Sequence, residues 1–514
     1  MLSLNQMLAR TVRMSPNAPA ITFEGRTKTW REYETRCARL GGALARLGIV
    51  AGDRVAVMSK NTDRLAELFF GPAYIGAVNA LVNFRWALPE MIACVEDCTP
   101  KVLICDRDHW QQALALQVAC PCIETLIYAD EGETPAGFQN YETLLAAAEP
   151  AVDGGFGGDD LAALFFTGGT TGRSKGVMVS HANIYLTALV QSTNSLVCDD
   201  AAFLMIMPIF HLAGAARLYT SVMLETQVVL HRDFNTQQVL QDIQDHRITH
   251  LFGAPAILNF LINDPSFVDK DLSSLRQLMY GASPMSETLL RSVLALFPGI
   301  YITQGYGMTE TGPCATVLGN SDHDPDGPKV GKLTSVGRPT LQTELRVVDS
   351  EGNACPANTV GEVALRGPCV MQGYWKLPEL TAEVLRDGWY YSGDGAYLDE
   401  DGYLFLVDRV KDMIVSGGEN VYSLEVESVI YQHPAIMECA VIGIPNETWG
   451  EAVHAIVTLK KDQSVTEKAL IDFCREHIAG FKCPRSVTIR SEPMPLSGAN
   501  KILKKELRDP FWKK

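Results

Sequence analysis

Apolar residues in the first half of the chain fall alternately into short continuous runs and into helical periodicity. Three of the runs have the length and composition of buried strands: Ala20–Phe23, Arg54–Met58 and Val78–Val82. Between them, Thr29-Trp30-Arg31-Glu32 has the spacing of a capping box and predicts a helix that ends near Leu47, before Gly48. A second helix is predicted over Thr62–Gly76. The alternation indicates an α/β fold whose largely parallel sheets are covered by helices.

The pattern changes near Val410. Two short strands precede this point, Gly361–Gly367 and Tyr403–Val407. The elements predicted after it are helix Ser423–Gln432, strands Glu438–Ile444 and Ala452–Leu459, and helix Ser464–His477. These last elements have an α+β pattern that is long enough to pack a core of its own. The sequence therefore predicts a large N-terminal domain at residues 1–409 and a small C-terminal domain at residues 410–514.

Composition and charge exclude several classes of protein. The chain has 514 residues, of which 47% are hydrophobic and 20% charged, as in ordinary globular proteins. Its net charge of −16 argues against a general nucleic-acid binder. The 13 cysteines form no paired zinc-binding pattern and favour free thiols in the cytoplasm. No signal peptide is visible, and the most apolar stretch, Ala201–Ala216, is shorter than the ~20 residues of a membrane span.

A glycine- and threonine-rich loop is the strongest chemical signal. The loop is Thr167-Gly168-Gly169-Thr170-Thr171-Gly172-Arg173-Ser174-Lys175-Gly176, and it follows the strand-like run Leu161–Phe166. Glycines let backbone N–H groups approach a ligand closely, threonine hydroxyls donate hydrogen bonds, and lysine adds a positive charge. This combination suits a polyphosphate, although the spacing is not that of a Walker A loop. The alternative is a flexible surface loop.

The same loop also fits Gly-x-Ser-x-Gly around Ser174, the pattern of a serine hydrolase. Such a nucleophile requires a strand directly before the serine and a helix directly after it. Here a loop precedes Ser174, and Val177-Met178-Val179-Ser180 predicts a strand after it. The context therefore disfavours hydrolase chemistry.

Further motifs follow the loop in a fixed order. They are Met207-Pro208-Ile209-Phe210-His211, Tyr280-Gly281-Ala282-Ser283-Pro284-Met285, Gln304-Gly305-Tyr306-Gly307-Met308-Thr309-Glu310, Tyr391-Ser392-Gly393-Asp394, Asp408-Arg409-Val410-Lys411-Asp412, Ser416-Gly417-Gly418-Glu419-Asn420-Val421-Tyr422 and Ser497-Gly498-Ala499-Asn500-Lys501-Ile502-Leu503-Lys504. Together they resemble the adenylate-forming superfamily, which includes acyl-CoA synthetases, peptide-synthetase adenylation domains and luciferases. The resemblance covers nearly the whole chain and looks closest to medium- and long-chain fatty acyl-CoA ligases.

The resemblance implies a two-step reaction. A carboxylic acid would attack the α-phosphorus of ATP, giving acyl-AMP and pyrophosphate, and CoA would then accept the acyl group. The expected cofactors are ATP and Mg²⁺, with CoA as second substrate. An amine acceptor, which would give an amide, stays open as an alternative. A non-catalytic nucleotide-binding module is disfavoured because both Glu310 and Lys501 are present.

The resemblance also implies a role for individual residues. The ATP-binding set is Thr167, Gly168, Gly169, Thr170, Thr171, Gly172, Lys175, Gly281, Ala282, Ser283, Gly305, Tyr306, Gly307, Thr309, Asp394 and Arg409. Within it, Tyr306 would stack on adenine, while Asp394 and Arg409 would hold the ribose. Glu310 would bind Mg²⁺. The proposed catalytic residues are Lys501, His211 and Thr309, with Lys501 bridging the attacking carboxylate and the α-phosphate.

The C-terminal domain is expected to be mobile and to rotate about a hinge at Lys411. Gly417 and Gly418 would line the tunnel of the acceptor. Each role has an ordinary structural alternative, such as a solvated basic tail for Lys501, a core histidine for His211 or a glycine turn at 417–418. Three positions depart from the family pattern, namely Gly168, Ser174 and Asn500.

The acid pocket is expected near His211, Gly214, Ala282 and Gly307. These residues are mostly small or apolar, so they favour an aliphatic, cyclic or aromatic acid. A dicarboxylate would need a dedicated arginine. Arg217 is a candidate for that role, but the sequence does not place it.

Overall fold

The computed structural model describes residues 2–167, 174–198, 200–283, 285–409, 413–416, 419–446, 448–497 and 501–512, with backbone only at 408–409 and 419–420. The strands before residue 410 are β1 (Pro19–Phe23), β2 (Arg26–Thr29), β3 (Arg54–Met58), β4 (Val78–Leu81), β5 (Val102–Cys105), β6 (Thr125–Tyr128), β7 (Phe138–Asn140), β8 (Leu161–Thr167), β9 (Lys175–Ser180), β10 (Ala202–Met205), β11 (Gln227–Leu230), β12 (His250–Gly253), β13 (Gln277–Gly281), β14 (Tyr301–Met308), β15 (Gly312–Leu318), β16 (Arg338–Pro339), β17 (Glu344–Val348), β18 (Gly361–Arg366), β19 (Gly373–Tyr374), β20 (Leu385–Arg386), β21 (Trp389–Leu398) and β22 (Leu404–Arg409). The later strands are β23 (Ile414–Ser416), β24 (Glu419–Val421), β25 (Ile436–Asn446), β26 (Gly450–Leu459) and β27 (Ser486–Arg490).

The helices lie between these strands. They are α1 (Leu4–Met14), α2 (Trp30–Arg46), α3 (Asp63–Leu68), α4 (Leu88–Cys98), α5 (Trp110–Ala119), α6 (Tyr141–Ala147), α7 (His181–Thr193), α8 (Leu212–Met223), α9 (Thr236–Asp245), α10 (Pro255–Ile262), α11 (Glu287–Leu296), α12 (Pro378–Val384), α13 (Ser423–Ile430), α14 (Glu467–His477) and α15 (Lys504–Trp512). Within the described residues, no helix is both long and apolar enough to cross a membrane. All thirteen cysteines are free thiols.

Two large sheets form the N-terminal part. The first has the order β16-β15-β14-β13-β12-β10-β11-β1-β2 and is parallel from β14 to β1. The second has the order β19-β9-β8-β4-β3-β5-β6-β7 and is parallel from β8 to β7. The interior strands are apolar on both faces because helices cover both sides of parallel sheets. The predicted α/β class is confirmed.

Two smaller sheets follow. The sheet β17-β18-β21-β20, with β22 paired to β21, ends the N-terminal part. The last sheet, β24-β23-β26-β25 with β27 paired to β26, has a separate apolar core built from Val426, Val441, Val453, Leu470 and other residues after 413. The later part is therefore a smaller α+β unit. The boundary between 409 and 410 and the hinge at Lys411 stay predictions, since residues 410–412 lie outside the described ranges.

Local sequence accounts for most of these elements. Helix α2 begins at the predicted capping box, in which Thr29 Oγ1 accepts from the backbone N–H of Glu32, and the Glu32 carboxylate accepts from the N–H of Thr29. The predicted helix over Thr62–Gly76 was wrong as one element. Helix α3 ends at Leu68, and a 3₁₀ turn covers Pro72–Ile75. Pro72 has no N–H to donate to the preceding turn, so a continuous helix cannot form across it.

The first sheet reverses its strand order at β10. The chain leaves β10 through α8 to reach β11 on one side, and then crosses to β12 on the other side, which leads through α10 to β13. The loops after β10 and β12 therefore diverge and leave a crevice at the carboxyl ends of these strands. Ligands bind at such switch points in open α/β sheets.

Candidate active site

The glycine- and threonine-rich loop connects β8 to β9. Thr167 and Lys175 are register partners at the base of the loop, where the two strands separate. Gly168, Gly169, Thr170, Thr171 and Gly172 lie outside the described residues. A strand follows Ser174, as the sequence predicted, so the strand-to-helix turn of a hydrolase nucleophile is not formed.

Tyr374 connects the base of this loop to Glu310. The ammonium nitrogen of Lys175 lies 4.9 Å from the centroid of the Tyr374 ring. The hydroxyl of Tyr374 donates a hydrogen bond to Oε1 of Glu310 at 3.0 Å. Sequence reasoning identified Lys175 and Glu310 but missed Tyr374, which no motif marks.

Glu310 is a buried carboxylate, with 8% of its surface exposed. Burial raises the pKa of the Tyr374 hydroxyl, and the nearby charge of Glu310 raises it further. Both effects keep Tyr374 protonated as a donor to the carboxylate. The described residues contain no group of three or more His, Cys, Asp or Glu side chains that could hold a metal. A cation at Glu310 would therefore take its other oxygen ligands from a bound substrate or from water.

The ends of β13 and β14 form a flat wall with very close backbone approach. Gly281 and Gly305 are register partners, and a Cβ on Gly281 would lie 2.4 Å from the carbonyl oxygen of Gly305. Ala282 follows with φ +67°, a left-handed conformation that costs an alanine on the order of 1–3 kcal/mol. Such strain concentrates at functional sites, and Ser283 continues the same segment.

Tyr306 and Asp394 meet at the end of this wall. The Tyr306 hydroxyl donates to Oδ2 of Asp394 at 2.9 Å, and both side chains are largely buried. Asp394 pairs in the sheet with the backbone of Arg409, whose side chain is not described. Thr309 lies in the turn after β14, next to Glu310, and is half-buried. The structure therefore brings together Tyr306 and Asp394, the residues expected for adenine and ribose, with Thr309 three positions after Tyr306 in the chain.

His211 is the N-terminal cap residue of α8. Gly214 lies in the first turn, where a Cβ would lie 2.3 Å from the carbonyl oxygen of Pro208, so only glycine fits beneath the loop. The His211 ring lies 4.2 Å from Phe210, and Phe210 lies 4.7 Å from Phe84, measured between ring centroids. Phe84 is another contact that sequence reasoning missed.

A cavity of about 110 Å³ opens at the switch point between β10 and β12. Its apolar walls include Ile206, Phe210, Phe84, Ile257 and Phe260, and its polar lining includes Lys60, Asn61, Arg85, Arg232 and Asp233. Lys60 and Arg232 are paired with aspartates. Arg85 is exposed at the mouth of the cavity, and its partial desolvation lowers its pKa against the opposing charge of Asp233. The motifs did not indicate any of these three cations.

The C-terminal unit contributes Leu496 to the same cavity. Next to it, the carbonyl oxygen of Ser497 accepts a hydrogen bond from Nη1 of Arg85 at 3.4 Å. The backbone N–H of Ser497 donates to the carbonyl oxygen of Lys501 at 2.7 Å. The segment that carries Lys501 is thus held against the N-terminal part at the mouth of the cavity. Gly417 and Gly418 lie outside the described residues.

Comparisons with known proteins agree with this geometry. The AMP-binding enzyme family model matches residues 8–375, and the AMP-binding enzyme C-terminal domain model matches residues 425–501. A feruloyl-CoA synthase of Amycolatopsis sp is 37% identical over 98% of both chains. The long-chain-fatty-acid–CoA ligase FadD13 of Mycobacterium tuberculosis is 33% identical over 99% of both. Among solved structures, the amide bond synthetase McbA of Marinactinospora thermotolerans is 29% identical over 99% of both chains, with a TM-score of 0.86.

Proposed function

The chain belongs to the AMP-binding enzyme family, and we propose which of its residues carry out the two half-reactions. It is an AMP-forming carboxylic acid ligase. The acid oxygen attacks the α-phosphorus of ATP and pyrophosphate leaves, giving acyl-AMP. The thiol of CoA then attacks the acyl carbon, the bond to AMP breaks, and the thiol proton passes to solvent. Its free thiols favour a cytoplasmic location.

The nucleotide lies along the wall formed by β13 and β14. Tyr306 stacks on adenine, and Asp394 accepts hydrogen bonds from the ribose hydroxyls, with Arg409 beside it. The 2.9 Å contact between Tyr306 and Asp394 supports this placement because adenine and ribose are adjacent in ATP. Thr309 donates to the α-phosphate, and Lys175, with the loop from Thr167, holds the outer phosphates.

Glu310 fits a magnesium ion that is shared with the phosphates. Mg²⁺ commonly binds through one or two carboxylates, substrate phosphates and water, and not through an all-protein cage. A single buried carboxylate next to the phosphate-loop strands has that chemistry. The ion would neutralise charge on the phosphates, while Tyr374 orients the carboxylate through its hydroxyl.

Lys501 and His211 act at the acid carboxylate. The contact between Arg85 and Ser497 holds the Lys501 segment at the cavity that Phe210 lines, one residue from His211. The ammonium of Lys501 would stabilise negative charge on the carboxylate and α-phosphate as they approach each other.

The cavity at the switch point is the observation that supports CoA as the acceptor. Its walls are apolar, as a pantetheine arm requires, and Arg85 in its lining adds positive charge for the CoA phosphates, whereas Lys60 and Arg232 are already paired with aspartates. Gly417 and Gly418 would continue this path. The likeness to McbA keeps a primary amine as the second candidate acceptor.

The test measures each half-reaction in Arg85→Gln. We expect the KM for CoA to rise about tenfold, the effect of one lost charged hydrogen bond. Acid-dependent exchange of pyrophosphate into ATP should fall less than the transfer to CoA, since that step needs no acceptor and loses only the long 3.4 Å contact between Arg85 and Ser497. Arg366→Gln, which removes an exposed pair with Glu344, is the matched control.

Two results would contradict the assignment. An unchanged KM for CoA would mean that the cavity is not the path of CoA. An equal loss of exchange and transfer would mean that Arg85 only positions the Lys501 segment. A primary amine is run against CoA in each assay, and amide formation in preference to acyl-CoA would replace CoA as the acceptor.

A further inference from the structure

Arg217 is buried in the second turn of helix α8, whose N-terminal cap is His211. Only 7% of its surface is exposed, and Arg64 is the only other arginine among the described residues that is buried to this degree. Arg217 comes six positions after His211, which corresponds to a backbone rise of about 9 Å along the helix axis.

Within the described part of the chain, the surroundings of Arg217 contain no negative charge. Its guanidinium carbon lies 5.6 Å from the centroid of the Phe252 ring, and the Cys314 thiol is the titratable group that acts on it. No carboxylate among the described residues acts on it. A thiol is a weak acceptor, so most of the five donors of the guanidinium are not matched.

The nearby polar groups are already engaged. Gln191 donates to the sulfur of Cys314 at 3.5 Å and accepts from the hydroxyl of Thr220 at 2.9 Å. His250 bonds to the carbonyl oxygen of Leu196 at 2.7 Å, and burial lowers its pKa, which the charge of Arg217 lowers further. His250 therefore stays neutral and does not add a second cation.

Arg217 lies behind the proposed nucleotide wall. A Cβ on Gly305 would lie 2.8 Å from the sulfur of Cys314, so Cys314 backs the wall directly. Phe252 lies near the carboxyl end of β12, at the strand switch point. Helix α8 thus begins at the proposed site of the acid carboxylate, beside His211, and carries Arg217 near its middle.

Burying a charge without a partner is costly, and a bound anion would remove most of that cost. We propose that Arg217 binds an oxygen at the far end of the acid, and most strongly a second carboxylate about 9 Å from the one that is activated. This inference rests on the proposed function, because it uses His211 to mark the activated carboxylate. It assigns the substrate class: acids that carry a distal oxygen acceptor.

The test compares matched acids in wild type, Arg217→Met and Arg217→Lys. One pair is 4-carboxycinnamate and 4-methylcinnamate, a linear pair is decanedioate and decanoate, and 4-hydroxycinnamate probes a neutral oxygen. The readout is kcat/KM for acid-dependent exchange of pyrophosphate into ATP, which does not depend on the acceptor. Ser221→Ala, a buried polar residue on the same helix, is the control for disturbance of α8.

We expect wild type to prefer the carboxylated member of at least one pair by about tenfold or more. Arg217→Met should lose about 100-fold on that acid, and about threefold or less on the methyl-ended partner, so the preference reverses. Arg217→Lys should retain part of the preference because it keeps the charge but not the fork of donors. Preference of the wild type for the apolar members, or equal losses on both members, would overturn the proposal.

A second measurement does not depend on activity. If the partner of Arg217 is a ligand, Arg217→Met without ligand should unfold at the same urea concentration as wild type or at a higher one. A clearly lower unfolding midpoint would show that Arg217 is structural and would overturn the proposal. If no acid supports exchange in wild type, the adenylation assignment itself fails, and the unfolding comparison still decides the role of Arg217.

Discussion

Arg64 and Arg217 are both buried, but only Arg64 is surrounded by carboxylates that neutralise its charge. Arg64 lies 3.4 Å from Asp63, 2.6 Å from Glu131 and 3.0 Å from Glu142. Although burial opposes it, these carboxylates raise the pKa of Arg64 above its ordinary value. Burial lowers the pKa of Arg217, and only the Cys314 thiol opposes that shift.

The difference separates two uses of buried charge. A cation that the fold neutralises with its own carboxylates contributes to the native structure, and its loss leaves those carboxylates uncompensated. Arg232 belongs to this kind, since it contacts Asp106, Asp108 and Asp130. A buried cation without an acidic partner adds little to folding and is instead available to a ligand.

The strongest test of the comparison is Arg64→Met. This change removes one partner of the buried Asp63 and of two further carboxylates, while Lys28 still contacts Asp63 and Arg36 still contacts Glu142. We therefore expect a loss of about 3 kcal/mol in the free energy of unfolding, the lower end for a broken buried pair. Urea unfolding followed by tryptophan fluorescence measures it. The rate per folded molecule should stay within about twofold of wild type.

Arg26→Met is the matched control for Arg64. Arg26 contacts the same Glu131 at 2.7 Å, but its side chain is 45% exposed. An exposed pair of this kind is worth at most about 1 kcal/mol. If both variants unfold at the same urea concentration, burial does not distinguish the two arginines and the comparison fails.

Lys501→Ala tests a cation that is assigned to the reaction and not to the stability of the fold. Lys501 is half-buried. We expect acyl-AMP formation to slow on the order of 10²–10³-fold, the usual effect of losing one preorganised donor. Transfer from synthetic acyl-AMP to CoA should stay near normal, and stability should change little. Lys505→Ala, an exposed residue of α15 paired with Asp509, is the control. Normal adenylation by the Lys501 variant would mean that Lys501 has no catalytic role and is only part of a solvated basic tail.

The smallest expected effect is on the pH dependence of the free energy of unfolding, and it comes from two buried histidines that have no strong ion pair. Burial lowers the pKa of both His181 and His323 to about 4. Both are neutral in the folded protein, whereas an unfolded histidine titrates near 6.5, so their stabilising contribution is present above about pH 6.5 and is lost as pH falls toward 4.

Between pH 7.5 and 5.5, each of these histidines should cost about 1 kcal/mol of unfolding free energy. Urea unfolding at the two pH values measures the slope in wild type, His181→Gln and His323→Gln. Each variant should show a smaller loss on acidification than wild type. An unchanged slope in both variants would mean that these histidines do not govern the acid sensitivity.

Strands and capped helices could be predicted from local sequence, whereas the environment of a charge could not. The runs at β1, β3 and β4 and the capping box of α2 specify their structure within a few residues. Pro72 was the one local signal that the predicted helix over Thr62–Gly76 overlooked. The roles of Lys175, Glu310, Tyr306, Asp394 and the other motif residues stay predictions, although the structure brings the described ones to one region.

The sequence by itself determined the fold class and the family, because periodicity, caps and motifs are short-range patterns that one stretch of chain carries alone. The tertiary structure decided which groups lie next to each charged side chain. Arg64 and Arg217 are the same residue type within helical segments, and only packing places three carboxylates beside one and a thiol and an aromatic ring beside the other. Those partners lie up to 97 positions away in the chain, as with Arg217 and Cys314, so no local pattern encodes them. The free energy of a charge depends on its surroundings in space, and that dependence made the difference between a structural cation and a candidate for substrate recognition.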